Sequence, residues 1–148
     1  MSRKWTREQA LAICDNKGTL LLSAAAGSGK TAVLVERVVR LLSKKSRPIR
    51  ADRLLIVTFT NEAAHEMKQR IDARISELLQ EQPDNLLLQQ QQILLQKADI
   101  CTISAFCMKI AQENFQELDL PAGFGVADDA VLAELKKTAI EEDRKSVV

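Results

Sequence analysis

Apolar residues along this chain fall into short runs and helical stripes. Three runs, TLLLS (residues 19–23), RLLIVTF (53–59) and DICTI (99–103), have the length of strands buried on both faces. Each is followed by a helical pattern. The first helix is TREQALAICDN, which precedes all three runs and has Thr6 as its N-cap. A second spans about 29–42 and is apolar on most sides, which predicts deep burial. A third starts at Asn61, with Ala64, Met67, Ile71, Ile75 and Leu78 at helical spacing. A fourth covers about 105–115. ADDAVLAELKKTAIEED makes a fifth, with Asp128 or Asp129 near its start. Strand–helix alternation implies βαβ crossovers, so the expected class is α/β: a parallel sheet covered by helices on both faces. Residues 43–50, SKKSRPIR, read as a basic surface connection. The glutamine-rich residues 80–97 read as a loop around Pro83 and then a helix.

At 148 residues the chain fits one domain, and 46% apolar content is enough for a core. With 21 basic and 20 acidic residues, bulk charge identifies no partner, so a nucleic-acid reading needs specific residues. Cys14, Cys101 and Cys107 are odd in number and lack C-x-x-C spacing, which predicts a reducing compartment without disulfides or a zinc site. The lone His65 falls on an exposed helical face and argues further against a metal centre. The N-terminus lacks a signal-peptide pattern and no run is long enough to span a membrane, so the expected location is cytoplasmic.

The chemistry concentrates after the first apolar run. Ala24, Ala25, Ala26, Gly27, Ser28, Gly29, Lys30 and Thr31 follow the Walker A spacing G-x-x-x-x-G-K-[ST], with only the first glycine replaced. Such a loop must wrap a phosphate so that backbone N–H groups converge on its oxygens. Gly27 and Gly29 permit the φ values and close approaches that a Cβ would block. The following helix offers its N-terminal N–H groups to the anion. Lys30 can reach β- and γ-phosphates, and the Thr31 hydroxyl can ligate Mg²⁺. A glycine-rich turn with a chance lysine is the bland alternative, and the flanking strand and helix weigh against it. The loop alone does not separate helicases from kinases, GTPases or transporter ATPases.

The remaining motifs do separate them. VTFTNEAAHEMKQRI (residues 57–71) closely resembles motif Ia of superfamily 1 helicases of the UvrD/Rep type. WTREQ resembles their Q-motif, and TISAFC resembles motif Ib. The flanks LLSAAAGSGKTAVLVERVVRLL and LPAGFGVADD are similar to the AddA branch of helicase–nucleases. The resemblance implies a partial RecA-like P-loop NTPase lobe over residues 1–148, using ATP and Mg²⁺. It implies single- and double-stranded DNA as substrate, a bacterial cytoplasmic setting and an AddB-like partner chain. Carried over by position, Gln9 reads the adenine edge, which suits an amide, and Phe59, Thr60 and Asn61 face single-stranded DNA. Each has a plainer reading. Thr6-x-x-Gln9 is a capping box, Asn61 can cap its helix, and Phe59 can pack at a strand end. Met67, Ile71 and Phe106 are expected in the core.

Two positions depart from the UvrD/Rep pattern. Ser104 stands where motif Ib usually has histidine, which puts a specific contact there in doubt. Ala32 replaces an arginine and matches the AddA branch. A Walker B acidic pair after a strand is not found, and Asp128 and Asp129 look like a helix start. Arginine fingers, a second lobe and a nuclease domain are also not found. The expectation is an N-terminal piece of a longer DNA-processing enzyme in double-strand-break repair. The alternatives are a module that binds nucleotide without hydrolysing it, or a small nucleotide kinase.

Overall fold

The computed structural model describes residues 4–15, 18–25 and 27–146, with side chains through residue 143. Two compact units divide the chain, Met1–Phe106 and Cys107–Val148. In the first, helix α1 (Arg7–Cys14) is followed by α2 (Lys30–Leu42), a 3-10 turn (Ala51–Arg53), strand β1 (Leu55–Thr58), α3 (Asn61–Glu81), α4 (Leu86–Leu95) and β2 (Asp99–Thr102). The strands pair in parallel, with Ile56 beside Ile100 and Val57 beside Cys101. Parallel neighbours require a crossover, which α3 and α4 supply.

The helices start where the local chemistry says they should. Thr6 and Gln9 close a reciprocal capping box on α1. The Thr60 hydroxyl accepts from the Ala63 N–H and caps α3, and the Asn85 side chain does the same for α4 from Leu88. Asn61 is therefore the first helical residue of α3 and not its cap. A threonine at 60 competes for the same role with an extended backbone that suits it.

The core lies between α2, α3 and one face of the sheet. Val35, Val38, Val39 and Leu42 of α2 meet Met67, Ile71 and Ile75 of α3 and Leu95 of α4, with Leu54, Ile56, Leu78 and Ile100 packed against them. Arg74 of α3 reinforces the α2 contact, pairing with Glu36 at 3.0 Å and with Glu77 at 3.0 Å. Glu36, and secondarily Glu77, hold the Arg74 pKa above its ordinary value. Buried Gln91 ties α4 to the chain around the 3-10 turn. Its amide donates to the Leu42 and Ile49 carbonyls, and its Oε1 accepts from the Ala51 N–H at 2.8 Å. Each of those groups would cost about 1–3 kcal/mol if buried without a partner.

Two expectations about the sheet are corrected. Residues 19–23 are irregular, and the sheet among the described residues holds β1 and β2 alone. Leu20 packs on the small cluster of Ala12, Ile13 and Val33, while Leu21 is 89% exposed. An apolar run becomes a strand only when a neighbour satisfies its backbone, and none is offered to this run. The sheet is also not covered on both faces, because Leu55 and Val57, on the side of β1 away from the core, are about half exposed.

Helix α5 (Ile103–Glu113) begins in the first unit and continues into the second. No side chain of α5 is buried, so Phe106 is half-buried and not core. An apolar stripe is buried only where another layer packs on it. The second unit also carries α6 (Asp129–Ser146), whose start is capped by Asp128, accepting from the Val131 N–H at 2.8 Å.

Candidate functional site

The glycine loop folds as its sequence demands. Gly27 has φ 78° and Gly29 φ 85°, both in the left-handed region that favours glycine. Crowding is not the reason for either. A Cβ at Gly27 would meet nothing within 4 Å, and one at Gly29 would come only to 3.5 Å from Gln9 Nε2. The positive φ alone selects glycine here, which corrects the expectation that close approach also does.

Gly29 is the N-cap of α2 and supplies no side-chain cap, so the first-turn N–H groups of Lys30, Thr31 and Ala32 are left for another acceptor. The Lys30 ammonium curls back over the loop, donating to the Ala24 carbonyl at 2.6 Å and the Ala25 carbonyl at 2.8 Å. One cation and a helix N-terminus thus sit on the same turn, an arrangement that attracts anions. Ala24, Ala25, Ser28 and Thr31 are grouped around it, and all but the half-buried Gly29 of the turn's described residues are exposed. Ala26 lies outside the described residues.

Gln9 makes more contacts than either sequence reading gave it. Its Oε1 accepts from the Thr6 N–H at 3.0 Å, and its Nε2 donates to the Ser28 carbonyl at 3.2 Å. One amide therefore both caps α1 and touches the phosphate-type loop. Arg37 adds a second tie between α1 and α2, donating to the Ala12 carbonyl at 2.6 Å.

The other candidate cluster lies at the carboxyl end of β1. The Thr58 hydroxyl donates to the Thr60 carbonyl at 2.8 Å and shapes the turn, while Thr60 caps α3. Phe59, between them, is 94% exposed, and Asn61 is exposed on the first turn of α3. The plainer reading of Phe59 as a packed ring is thereby excluded for this chain. Thr58 was missed as a positioning residue, although the alternating threonines of TFT were visible. Ser104 is exposed on the first turn of α5, and His65 is exposed and hydrogen-bonded to Gln69. A groove of about 980 Å³ lies between α2 and α3, lined by Val35, Glu36, Arg70, Arg74 and Glu77 among others, and includes none of the candidate residues.

Fold and site together define a mixed α/β protein in which a lysine-bearing glycine loop opens onto a helix N-terminus. The chain belongs to the UvrD/REP helicase N-terminal domain family, whose model matches residues 5–147. Similar proteins are named as ATP-dependent helicase/nuclease subunits of the AddA type. The one from Acetivibrio thermocellus is 49% identical over 139 residues, covering 94% of this chain and 11% of that protein. The one from Clostridioides difficile is 48% identical over 141 residues, 95% of this chain and 11% of that protein. The one from Clostridium perfringens is 44% identical over 142 residues, 96% of this chain and again 11% of the relative. The chain thus spans 11% of the length of these curated relatives. No helix among the described residues is long and apolar enough to cross a membrane.

Proposed function

We propose that this chain supplies the ATP-binding N-terminal part of a DNA helicase/nuclease. In the whole protein, ATP hydrolysis would drive translocation along single-stranded DNA during double-strand-break repair and recombination, alongside an AddB-like partner chain. The observation that carries this reading is the loop itself: two glycines at positive φ, an uncapped helix start and Lys30 on one turn. Membership of a helicase family, and relatives named as ATP-dependent helicase/nuclease subunits, support the choice of ATP and DNA.

The residues present suit the nucleotide and its metal. The N–H groups of Gly27 to Thr31 would surround the β-phosphate, Lys30 would leave its carbonyls for the β- and γ-oxygens, and the Thr31 hydroxyl would hold Mg²⁺. When bound, the Mg²⁺ neutralises phosphate charge. Gln9 would give up the Ser28 carbonyl, or share it, to read the adenine edge. Phe59 would stack on a base while Thr60 and Asn61 touch the DNA backbone.

Base preference tests this assignment. The chain is expected to bind ATP more tightly than GTP, and Gln9→Ala to shrink that difference. If Gln9 serves only as a cap, the substitution lowers stability by about 0.5–2 kcal/mol and leaves base preference unchanged. Competition titration with both nucleotides, beside a denaturant melt, separates the outcomes.

One observation favours a second reading, in which the 148-residue chain alone holds nucleotide without turning it over. Its best acidic pair, Asp128 and Asp129, stands at the start of α6, with Asp128 engaged as a cap. Phosphate release by the purified chain is expected at background with or without single-stranded DNA. Steady, DNA-stimulated release would reassign Asp128 and Asp129 as the metal-holding pair.

A further inference from the structure

The connection between α2 and β1 concentrates charge that the chain as a whole does not have. From Arg40 to Arg53 stand six basic residues and one acid, Asp52, although the entire chain has a formal net charge of only +1. Asp52 is taken up by Arg50, in a two-pronged contact at 3.0 and 2.7 Å that holds the Asp52 pKa below its ordinary value. Arg40, Lys44, Lys45 and Arg47 have no acidic partner within ion-pair distance among the described residues, and all but the half-buried Lys44 are exposed.

This basic loop has a fixed base. The Ile49 N–H donates to the Leu41 carbonyl at 3.1 Å and closes it, and buried Gln91 grips it at Leu42, Ile49 and Ala51. Favourable interaction with the α2 dipole accounts for Arg40 and Lys44, but that effect fades within the last turn and does not reach Arg47 or Arg53. The loop is also remote from the glycine loop. The two lie at opposite ends of α2, a helix of 13 residues, so roughly 20 Å apart. The basic loop likewise precedes β1, whereas Phe59 follows it.

We propose that residues 40–53 form a second nucleic-acid contact, gripping the sugar-phosphate backbone without reading sequence. The choice of nucleic acid as the partner rests on the proposed function above. The loop itself favours that partner over an acidic protein. A protein interface needs a desolvated anchor, commonly aromatic, and the only exposed large apolar side chain here is Ile49, at 40%. A polyanion needs only the charges, whose binding releases condensed counterions.

The test is fluorescence anisotropy of the 148-residue chain with short labelled duplex and single-stranded DNA across a salt series. The wild-type chain is expected to bind both, weakening steeply with salt. Lys44→Gln/Lys45→Gln/Arg47→Gln removes three phosphate contacts. It should flatten the log–log salt slope for duplex by about 2.7, so that about 40-fold of the weakening between 50 and 200 mM salt disappears. The control Lys136→Gln/Lys137→Gln, on exposed positions of α6, should change nothing. If the triple variant melts early, the pair Lys45→Gln/Arg47→Gln, both exposed, replaces it with a proportionally smaller change. Absence of wild-type binding at low salt, an unchanged slope in the loop variants, or an equal loss in the control overturns the proposal. Displacement of DNA by polyglutamate of matched charge also overturns it, in favour of an acidic protein partner. ATP titration of the same variants keeps the readings apart. Retained ATP binding with lost DNA binding upholds both sites, whereas loss of ATP binding in the wild-type chain counts against the glycine-loop assignment alone.

Discussion

Lys30→Ala is expected to weaken ATP binding by about 2–5 kcal/mol, the usual consequence of removing one partner of a desolvated charge pair. That corresponds to a loss of about 30-fold to several-thousand-fold in affinity. The effect should be confined to binding. Lys30 is the first residue of α2, alanine is the best helix former, and the left-handed Gly29 that starts the helix is untouched. The lysine is exposed, and its two contacts are with exposed loop carbonyls that water can satisfy in its place. Stability should therefore change by no more than about 1 kcal/mol. Calorimetry with ATP and Mg²⁺, beside a thermal melt, checks both parts. Unchanged affinity in a folded variant would remove the phosphate assignment from the glycine loop. Loss of both affinity and stability would show that Lys30 mainly braces the loop through Ala24 and Ala25.

The parts of this fold that the sequence disclosed are those decided by neighbours a few residues apart. The capping box of Thr6 and Gln9 is an i, i+3 relation, and it is present. The stripe of Ala64, Met67, Ile71 and Ile75 is a helical period, and those residues are buried. Pro83 followed by a helix was legible because proline ends one element and Asn85 caps the next. The strand expected at residues 19–23 was not decidable in this way. Its leucines state a preference for burial, but a strand exists only when another backbone pairs with it, and that depends on the rest of the molecule. The open face of β1 at Leu55 and Val57 has the same origin. Gln91 was hidden for a related reason. One glutamine among five in QQQQILLQ looks solvated, and only the packing of α4 on the 3-10 turn makes it a buried clamp.

The candidate site divides along the same line. The positive φ of Gly27 and Gly29 follows from local chain geometry and was legible. The reach of Gln9 to the Ser28 carbonyl joins residues far apart in sequence, and no spacing rule predicts it. It places the two rival readings of Gln9 on one side chain. The capping oxygen faces Thr6, while the amide nitrogen faces the loop where a nucleotide would lie. A cap and a base reader are therefore compatible, because they use different atoms of the same amide.

Phe59→Ala is expected to leave the chain as stable as before, within about 0.5 kcal/mol, and to weaken single-stranded DNA binding by about 1–3 kcal/mol. The first expectation follows from exposure. A buried phenylalanine truncated to alanine costs about 3–5 kcal/mol, but this ring is 94% exposed and has almost no packing to lose. The turn that carries it should persist, because Thr58 and Thr60 hold it through their hydroxyls and not through the ring. The second expectation follows from what such exposure costs. A large apolar ring standing in water forgoes burial worth about 1.5–3 kcal/mol, and a base stacked on it would recover much of that. Stacking is also tolerant of sequence, which suits a protein that travels along a strand. The measurement is single-strand affinity of wild type and variant in the full-length protein, with Phe59→Trp as a second variant that preserves stacking. Retained affinity in Phe59→Trp with loss in Phe59→Ala supports stacking. Equal affinity in all three would leave only Thr60 and Asn61 to contact DNA at this turn.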